Sequence, residues 1–267
     1  MKEINNNFER IFPKENVIVM LHAHADDESF LSAGIVNRFI THNYNVLLIY
    51  LATGLIEEEK RTTIRRKELA EALKVLGIKN VEFLEYCEPK YTKYGKPLFL
   101  QSTKDVVDGI RTIVEKRGIK NYTLFSYDKN GGYGNKDHLM VHKAGRLLFK
   151  NSSPTSLLFE VAIPRDVYLY WLEKNKNKIP ESYLPKLNYW SAEFGLKNEE
   201  IDYFYLLNSK QIKLKKEALS KHISQIKNTE FPLSLTGPDF IGLFGREHFA
   251  YVGRKIIGNG VKGYCKT

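Results

Sequence analysis

Residues 17–30 read V-I-V-M-L-H-A-H-A-D-D-E-S-F. An almost wholly apolar run over 17–22 passes directly into one imidazole and three carboxylates: His24, Asp26, Asp27 and Glu28. A short apolar run rich in Val, Ile and Leu predicts a buried strand. Ligand-type side chains at the end of such a strand are held on a rigid element, where chemistry can be placed. His24 and Asp27 are three residues apart at a strand-to-helix junction, and on one helical turn that spacing shares a face. Both can therefore reach one metal ion, while Asp26 points elsewhere and is free to act on a water. An open catalytic site keeps three protein ligands and a position for water, so a third ligand has to come from a distant part of the chain.

Outward from this stretch, strand and helix signals alternate. A second strand over 46–52, V-L-L-I-Y-L-A, is apolar throughout, as a strand covered on both faces should be. Further strands are predicted over 81–84, 122–126 and 157–162. Between them lie helices over 31–40, 57–76 (closed by Gly77), 105–115 and 137–150, the last capped by Asp137. Repeated β-α-β units predict an α/β fold: a Rossmann-like, mainly parallel sheet with helices on both faces. Right-handed crossovers then give the strand order 3-2-1-4-5, in which the first and fourth strands are neighbours. Ligands bind at that switch point, beyond the carboxyl ends of the strands. The loops leaving those two strands, 23–29 and 127–137, are the two richest in ligand-capable residues. The best third ligand is His138, with His142 one turn further on as its competitor. The acids admit a structural reading too, since Asp26, Asp27 and Glu28 would complement a helix dipole.

The rest of the chain bounds the answer. Its 267 residues, 43% of them apolar, suit one large domain and exclude a disordered chain. We expect a single α/β domain over 1–267, with the Rossmann-like core in 1–165 and an extension over 166–267 that covers the site. In that extension 201–206 reads as a strand, 211–226 as a helix, and 231–246, with its Gly and Pro residues, as a loop. Cys87 and Cys265 stand alone, outside any C-x-x-C pattern, which fits a reducing cytoplasm and excludes a cysteine zinc site. No apolar run approaches the roughly 18–20 residues of a membrane span. The N-terminus lacks a signal-peptide core. Lys and Arg exceed Asp and Glu by 41 to 31, but the basic residues are scattered and form no stripe, so nucleic acid is not expected as a partner.

Residues 23–29, A-H-A-D-D-E-S, resemble the A-H-P-D-D-E signature of the PIG-L/LmbE-like zinc-dependent de-N-acetylases. Residues 127–138, Y-D-K-N-G-G-Y-G-N-K-D-H, resemble that family's G-G-Y-G-H-P-D-H motif, in the form found in its mycothiol-pathway deacetylase and amidase branch. Residues 65–69, R-R-K-E-L, resemble its R-x-x-E-L helix, and 216–225, K-E-A-L-S-K-H-I-S-Q, its late helix ending in H-x-S-Q. The resemblance implies one Zn2+ per chain held by His24, Asp27 and His138, with Asp26 as general base; the same donor set also accepts Fe2+. It implies substrate contacts from Tyr133, which matches a mobile tyrosine, from Arg65, and from Asp128 and His142 around the second motif. His142 otherwise packs along its helix, Arg65 pairs with a surface acid, and Tyr133 is a turn tyrosine. His22 reads as a hydrogen-bonded core residue and His222 as packed in its helix.

The sequence departs from the pattern twice. Ala25 replaces the proline, and Asn135 stands where the family has a histidine that stabilises the oxyanion. A neutral amide can donate a hydrogen bond to an oxyanion. It cannot act as a general acid, although Lys136 beside it could supply positive charge. The expectation is a zinc-dependent hydrolase that removes an N-acetyl group from a small amino sugar or glycoconjugate, such as an N-acetylglucosamine derivative. Its partner would be that small molecule, and a homo-oligomer is compatible with the sequence. One alternative is a metal-retaining sugar-binding protein whose catalysis is weakened at Asn135. Another is a non-haem iron oxygenase built on two histidines and a carboxylate, which the strand–helix alternation argues against.

Overall fold

The computed structural model describes residues 1–52, 59–87, 96–153, 155–175, 194–227 and 230–254. Cys265 and the start of the helix expected over 57–76 lie outside these residues. Eight strands form one sheet among the described residues: β1 Lys2–Glu3, β2 Val17–His22, β3 Val46–Ala52, β4 Val81–Tyr86, β5 Tyr122–Tyr127, β6 Leu157–Ala162, β7 Tyr203–Leu206 and β8 Arg246–Arg254. The helices are α1 Phe8–Ile11, α2 Asp27–Leu31, α3 Ala33–Thr41, α4 Glu59–Leu76, α5 Thr103–Lys116, α6 Lys136–Lys150, α7 Arg165–Lys174, α8 Ser209–Leu219 and α9 Gly237–Phe244.

The sheet order is β1-β7-β8-β6-β5-β2-β3-β4. Strands β4, β3, β2, β5 and β6 are parallel neighbours in the expected order, and β2 and β5 pair along Val17↔Tyr122 to Met20↔Phe125. Strict alternation divides the core. Ile18 and Met20 of β2 face Ile35, Val36 and Phe39 of α3 and Leu69 and Leu73 of α4. Val19 and Leu21 face the other way, toward Val107 and Ile110 of α5 and Val141 and Ala144 of α6. This double burial makes β2 and β3 apolar along their whole length. Helix α6 lies close against β5 at Gly145, where an added Cβ would stand 2.6 Å from Ser126 Oγ.

The C-terminal third differs from expectation in three places. The stretch read as a loop contains α9, because Thr236 caps it and Pro238 occupies its first turn, where a missing N–H costs nothing. Strand β8 was not foreseen. It pairs antiparallel with both β6 and β7, so this region extends the sheet. Its charged start, Arg246 to His248, hides the alternation that buries Phe249 and Tyr251. Helix α8 stops at Leu219, so His222 lies beyond it. Among the described residues no helix is long and apolar enough to cross a membrane.

His248 of β8 is buried between Ala162 on β6 and Phe204 on β7. Burial, then the charges of Arg246 and Lys215, push its pKa down to about 3 from an ordinary 6.5. The unfolded chain therefore binds this proton more readily than the folded one. Stability from His248 is present above pH 6.5 and is lost as pH falls toward 3. Urea unfolding across this window should show wild type losing up to about 1.4 kcal/mol per pH unit more than His248→Gln.

Candidate metal centre and catalytic pocket

Strand β2 ends at His22, and the chain then turns sharply into α2. Asp26 makes the turn with φ 146° and ψ −22°, a conformation that L-residues rarely adopt and that costs about 1–3 kcal/mol. Its carboxylate makes no hydrogen bond capping α2. Glu28 holds the turn in place from behind. Its Oε2 accepts from the Asp26 backbone N–H at 3.1 Å and from Tyr50 Oη at 2.9 Å. Its Oε1 accepts from Ser29 Oγ at 2.6 Å and pairs with His222 Nε2 at 2.9 Å. Burial opposes the charge on Glu28, but His222 and Ser29 outweigh it and hold the carboxyl at about 2. His222 is thus a buried ion-pair partner of the turn, beyond the helix in which it was expected to pack.

From the neighbouring strand β5, Tyr127 reaches across the switch point. Its hydroxyl donates to Asp27 Oδ2 at 2.5 Å and accepts from the Ala23 N–H at 2.8 Å. The His24 N–H also donates to Asp27 Oδ2, at 2.8 Å. One oxygen of Asp27 is therefore anchored, and the other faces His138. The turn after β5 brings that histidine in. Gly131, Gly132 and Gly134 all have positive φ, and Asp128 Oδ1 accepts from the N–H groups of Asn130 and Gly132. Asn135, not Asp137, is the N-cap of α6: its Oδ1 accepts from Asp137 N at 2.8 Å and His138 N at 3.4 Å. That leaves the Asp137 carboxylate to accept from Phe99 N at 2.9 Å and to meet His24 Nε2 at 3.1 Å.

His24, Asp27 and His138 converge as a result. His138 Nε2 lies 3.3 Å from His24 Nδ1 and 3.4 Å from Asp27 Oδ1, and His24 Nδ1 lies 3.7 Å from Asp27 Oδ2. Tetrahedral zinc with bonds of about 2.0–2.1 Å separates its ligand atoms by about 3.3–3.4 Å. Two imidazole nitrogens and a carboxylate at this spacing fit a divalent ion in both geometry and chemistry. The ring of His138 is stacked on Tyr127 at 4.0 Å between centroids and is fully buried, with Nδ1 lacking a hydrogen-bond partner. Burial alone would raise the Asp27 pKa, but His138 and His24 outweigh it and keep the carboxyl far below its usual range. Asp26 shifts the opposite way, up to about 7, through burial and then the neighbouring Asp27 charge.

A pocket of about 650 Å³ opens beside these groups and is lined by Asp26, Asp27, Tyr133 and Asn135. Tyr133 is 40% exposed, and its hydroxyl accepts from Asn135 Nδ2 at 3.3 Å. Three expected substrate contacts do not line this pocket. Arg65 is buried beneath the loop after β2, with Nη2 donating to Ala25 O at 3.3 Å. Asp128 is fully buried as the organiser of the glycine turn. His142 turns away, its Nδ1 at 3.0 Å from both Tyr127 O and Glu160 Oε1. His22 is buried as expected, yet its Nε2 has no hydrogen-bond partner among the described residues. Tyr127 has no role in the sequence reading, although a tyrosine at the carboxyl end of a strand beside the switch point is a readable signal.

Residues 19–149 match the family described as PIG-L, GlcNAc-PI de-N-acetylase. The chain is 28% identical over 157 residues to a mycothiol S-conjugate amidase of Streptomyces coelicolor, covering 52% of this chain and 53% of that protein. It is 25% identical over 190 residues to a 1D-myo-inositol 2-acetamido-2-deoxy-alpha-D-glucopyranoside deacetylase of Catenulispora acidiphila, covering 62% and 57%. The chain thus spans little more than half the length of these relatives. Among solved structures, the N,N'-diacetylchitobiose deacetylase of Pyrococcus horikoshii superposes with a TM-score of 0.52 at 15% identity, over 88% of this chain and 83% of that one. At that identity the likeness is one of fold.

Tyr127→Phe removes the donor to Asp27 and keeps the ring stack on His138. Metal titration should show divalent-ion affinity falling about 10–100-fold, the usual loss when a group that orients a ligand is removed.

Proposed function

Because residues 19–149 form a PIG-L family domain, we propose that the protein is a metal-dependent amide hydrolase that removes the N-acetyl group of a small amino sugar or glycoconjugate, such as an N-acetylglucosamine derivative. The observation that carries this reading is the convergence of His24, Asp27 and His138 beside an uncapped Asp26 in the wall of a pocket. Zinc is the metal we assign, with Fe2+ accepted by the same donors. It would polarise the amide carbonyl and lower the pKa of a bound water to about 7. The relatives named above are an amidase and deacetylases of such compounds, which supports the substrate class.

The chain's own residues divide the remaining work. Asp26 takes a proton from the attacking water and returns it to the leaving nitrogen, so that acetate and a free amine are the products. Asp27 cannot do this, because its Oδ2 is engaged by Tyr127 and its Oδ1 faces His138. The strained turn aims Asp26 into the pocket while Asp27 stays among the ligands, so adjacent residues take separate roles. Tyr133 Oη and Asn135 Nδ2 are neutral donors in the pocket wall, the Tyr133 ring 5.2 Å from that of His138, and they would hold the carbonyl oxygen as charge develops on it. Removing one such donor typically costs about 2.7–4 kcal/mol in the transition state. Asn135 cannot supply a proton, so its acceptor oxygen serves α6 and its amide serves the substrate. The loss of a histidine here is thus met by an acid–base cycle centred on Asp26. The partner in this reading is a small N-acetylated sugar in the cytoplasm.

The binding-protein alternative is tested by the same residue. Asp26→Asn should release amine from N-acetylglucosamine about 10²–10⁴-fold more slowly than wild type while retaining one metal ion per chain. Equal turnover by the two proteins would remove Asp26 from the mechanism.

A further inference from the structure

The pocket is larger than its reaction end. Phe30 and Leu31 continue the wall, and most of the rest comes from residues 162–248, beyond the 19–149 segment that the family match covers. Ile163, Trp171 and Leu172 on one side and Ile226, Leu243 and Phe244 on the other form this wall, and most of them belong to a separate apolar cluster outside the two sheet-facing cores. Trp171 is oriented from outside the pocket: its Nε1 donates to Asp239 Oδ1 at 3.3 Å, tying α7 to the first turn of α9.

Three of the polar residues that line this arm are engaged elsewhere. Lys215 and Glu247 pair at 2.8 Å with their side chains 1% exposed. Glu247 also accepts from Gly34 N and Ile35 N at the start of α3. Gln225 Nε2 donates to Ser224 Oγ at 2.9 Å. Arg246 is exposed at the rim, over the Phe204 ring. The bare hydroxyls of a second sugar would find few partners here, and leaving them unpaired would cost binding.

We infer that this arm is a specificity site for an apolar group carried by the amide substrate, either a medium-length N-acyl chain or an apolar aglycone. The inference rests on the amide-hydrolase reading for its connection to catalysis, but the arm itself can be tested without turnover. Its volume, about 650 Å³ including the reaction end, lies within the range of small-molecule sites. The arm is continuous with Asp26 and Asp27, so a group seated in it is attached to the molecule being cleaved.

The test has two parts. Amine release by metal-loaded protein is compared for N-acetylglucosamine, N-octanoylglucosamine and octyl N-acetylglucosaminide. The inference predicts that kcat/KM rises at least about tenfold for one of the octyl compounds. A gain for the octanoyl amide assigns the arm to the acyl chain, and a gain for the octyl glycoside assigns it to the aglycone. Binding of N-phenyl-1-naphthylamine, an uncharged apolar fluorophore, is measured in parallel, without turnover. It should bind wild type and weaken about tenfold in Leu172→Asp and in Trp171→Ala, with thermal melts confirming that both variants fold. Equal kcat/KM across the three substrates overturns the inference, and so does failure of the fluorophore to bind. Fluorophore binding that obeys the two variants, with no amide cleaved, supports the arm and overturns the hydrolase reading instead.

Discussion

The meeting of Asp27 with His138 across the boundary between β2 and β5 is the contact on which the site depends. It joins residues 111 positions apart, and only the reversal of strand order makes them neighbours. Tyr127 enforces the contact from β5 by gripping one oxygen of Asp27 while its ring supports the His138 imidazole. Two imidazoles and a carboxylate within 3.3–3.7 Å of one another are a poor arrangement for an empty protein interior. Burying polar groups costs free energy unless they are paired, and a divalent cation would pair with all three at once.

The same economy governs what surrounds the ligands. Asp26 is held in a costly backbone conformation, and a buried Glu28–His222 pair fixes it from behind. Strain of this kind persists where surrounding structure over-determines it. Here Glu28, Tyr50, Ser29 and His222 do so, drawing on β3 and on the turn after α8. The C-terminal third is thus tied to the turn after β2 through His222, besides contributing β7 and β8 to the sheet and the apolar arm to the pocket.

Much of this was legible in the sequence. Uniformly apolar strands between amphipathic helices gave the central strand order, and the order gave the switch point. The spacing of His24 and Asp27, with His138 across the switch point, gave the three converging donors. What stayed hidden shares a physical cause: it depends on contacts between distant residues. Asn135 and Asp137 are both good helix caps by composition, and only the fold shows that Asn135 Oδ1 takes the first N–H groups of α6 while the Asp137 carboxylate turns to His24. His222 reads as helical by local periodicity, yet its bond to Glu28 lies 194 residues away in sequence. Arg65, Asp128 and His142 sit in or near the right motifs, but their side chains bond to Ala25 O, the glycine turn and Glu160, and none of them lines the pocket. Strand β8 is disguised because Glu247, a charged residue, is buried by pairing with Lys215.

The central claim is that His24, Asp27 and His138 together bind one divalent ion. Zinc-edge X-ray absorption on the zinc-loaded protein tests it most directly. The account predicts imidazole nitrogen and carboxylate oxygen scatterers at about 2.0–2.2 Å, with two histidines per zinc. Sulfur at about 2.3 Å, or the all-oxygen shell of a hydrated ion without imidazole scattering, would contradict it.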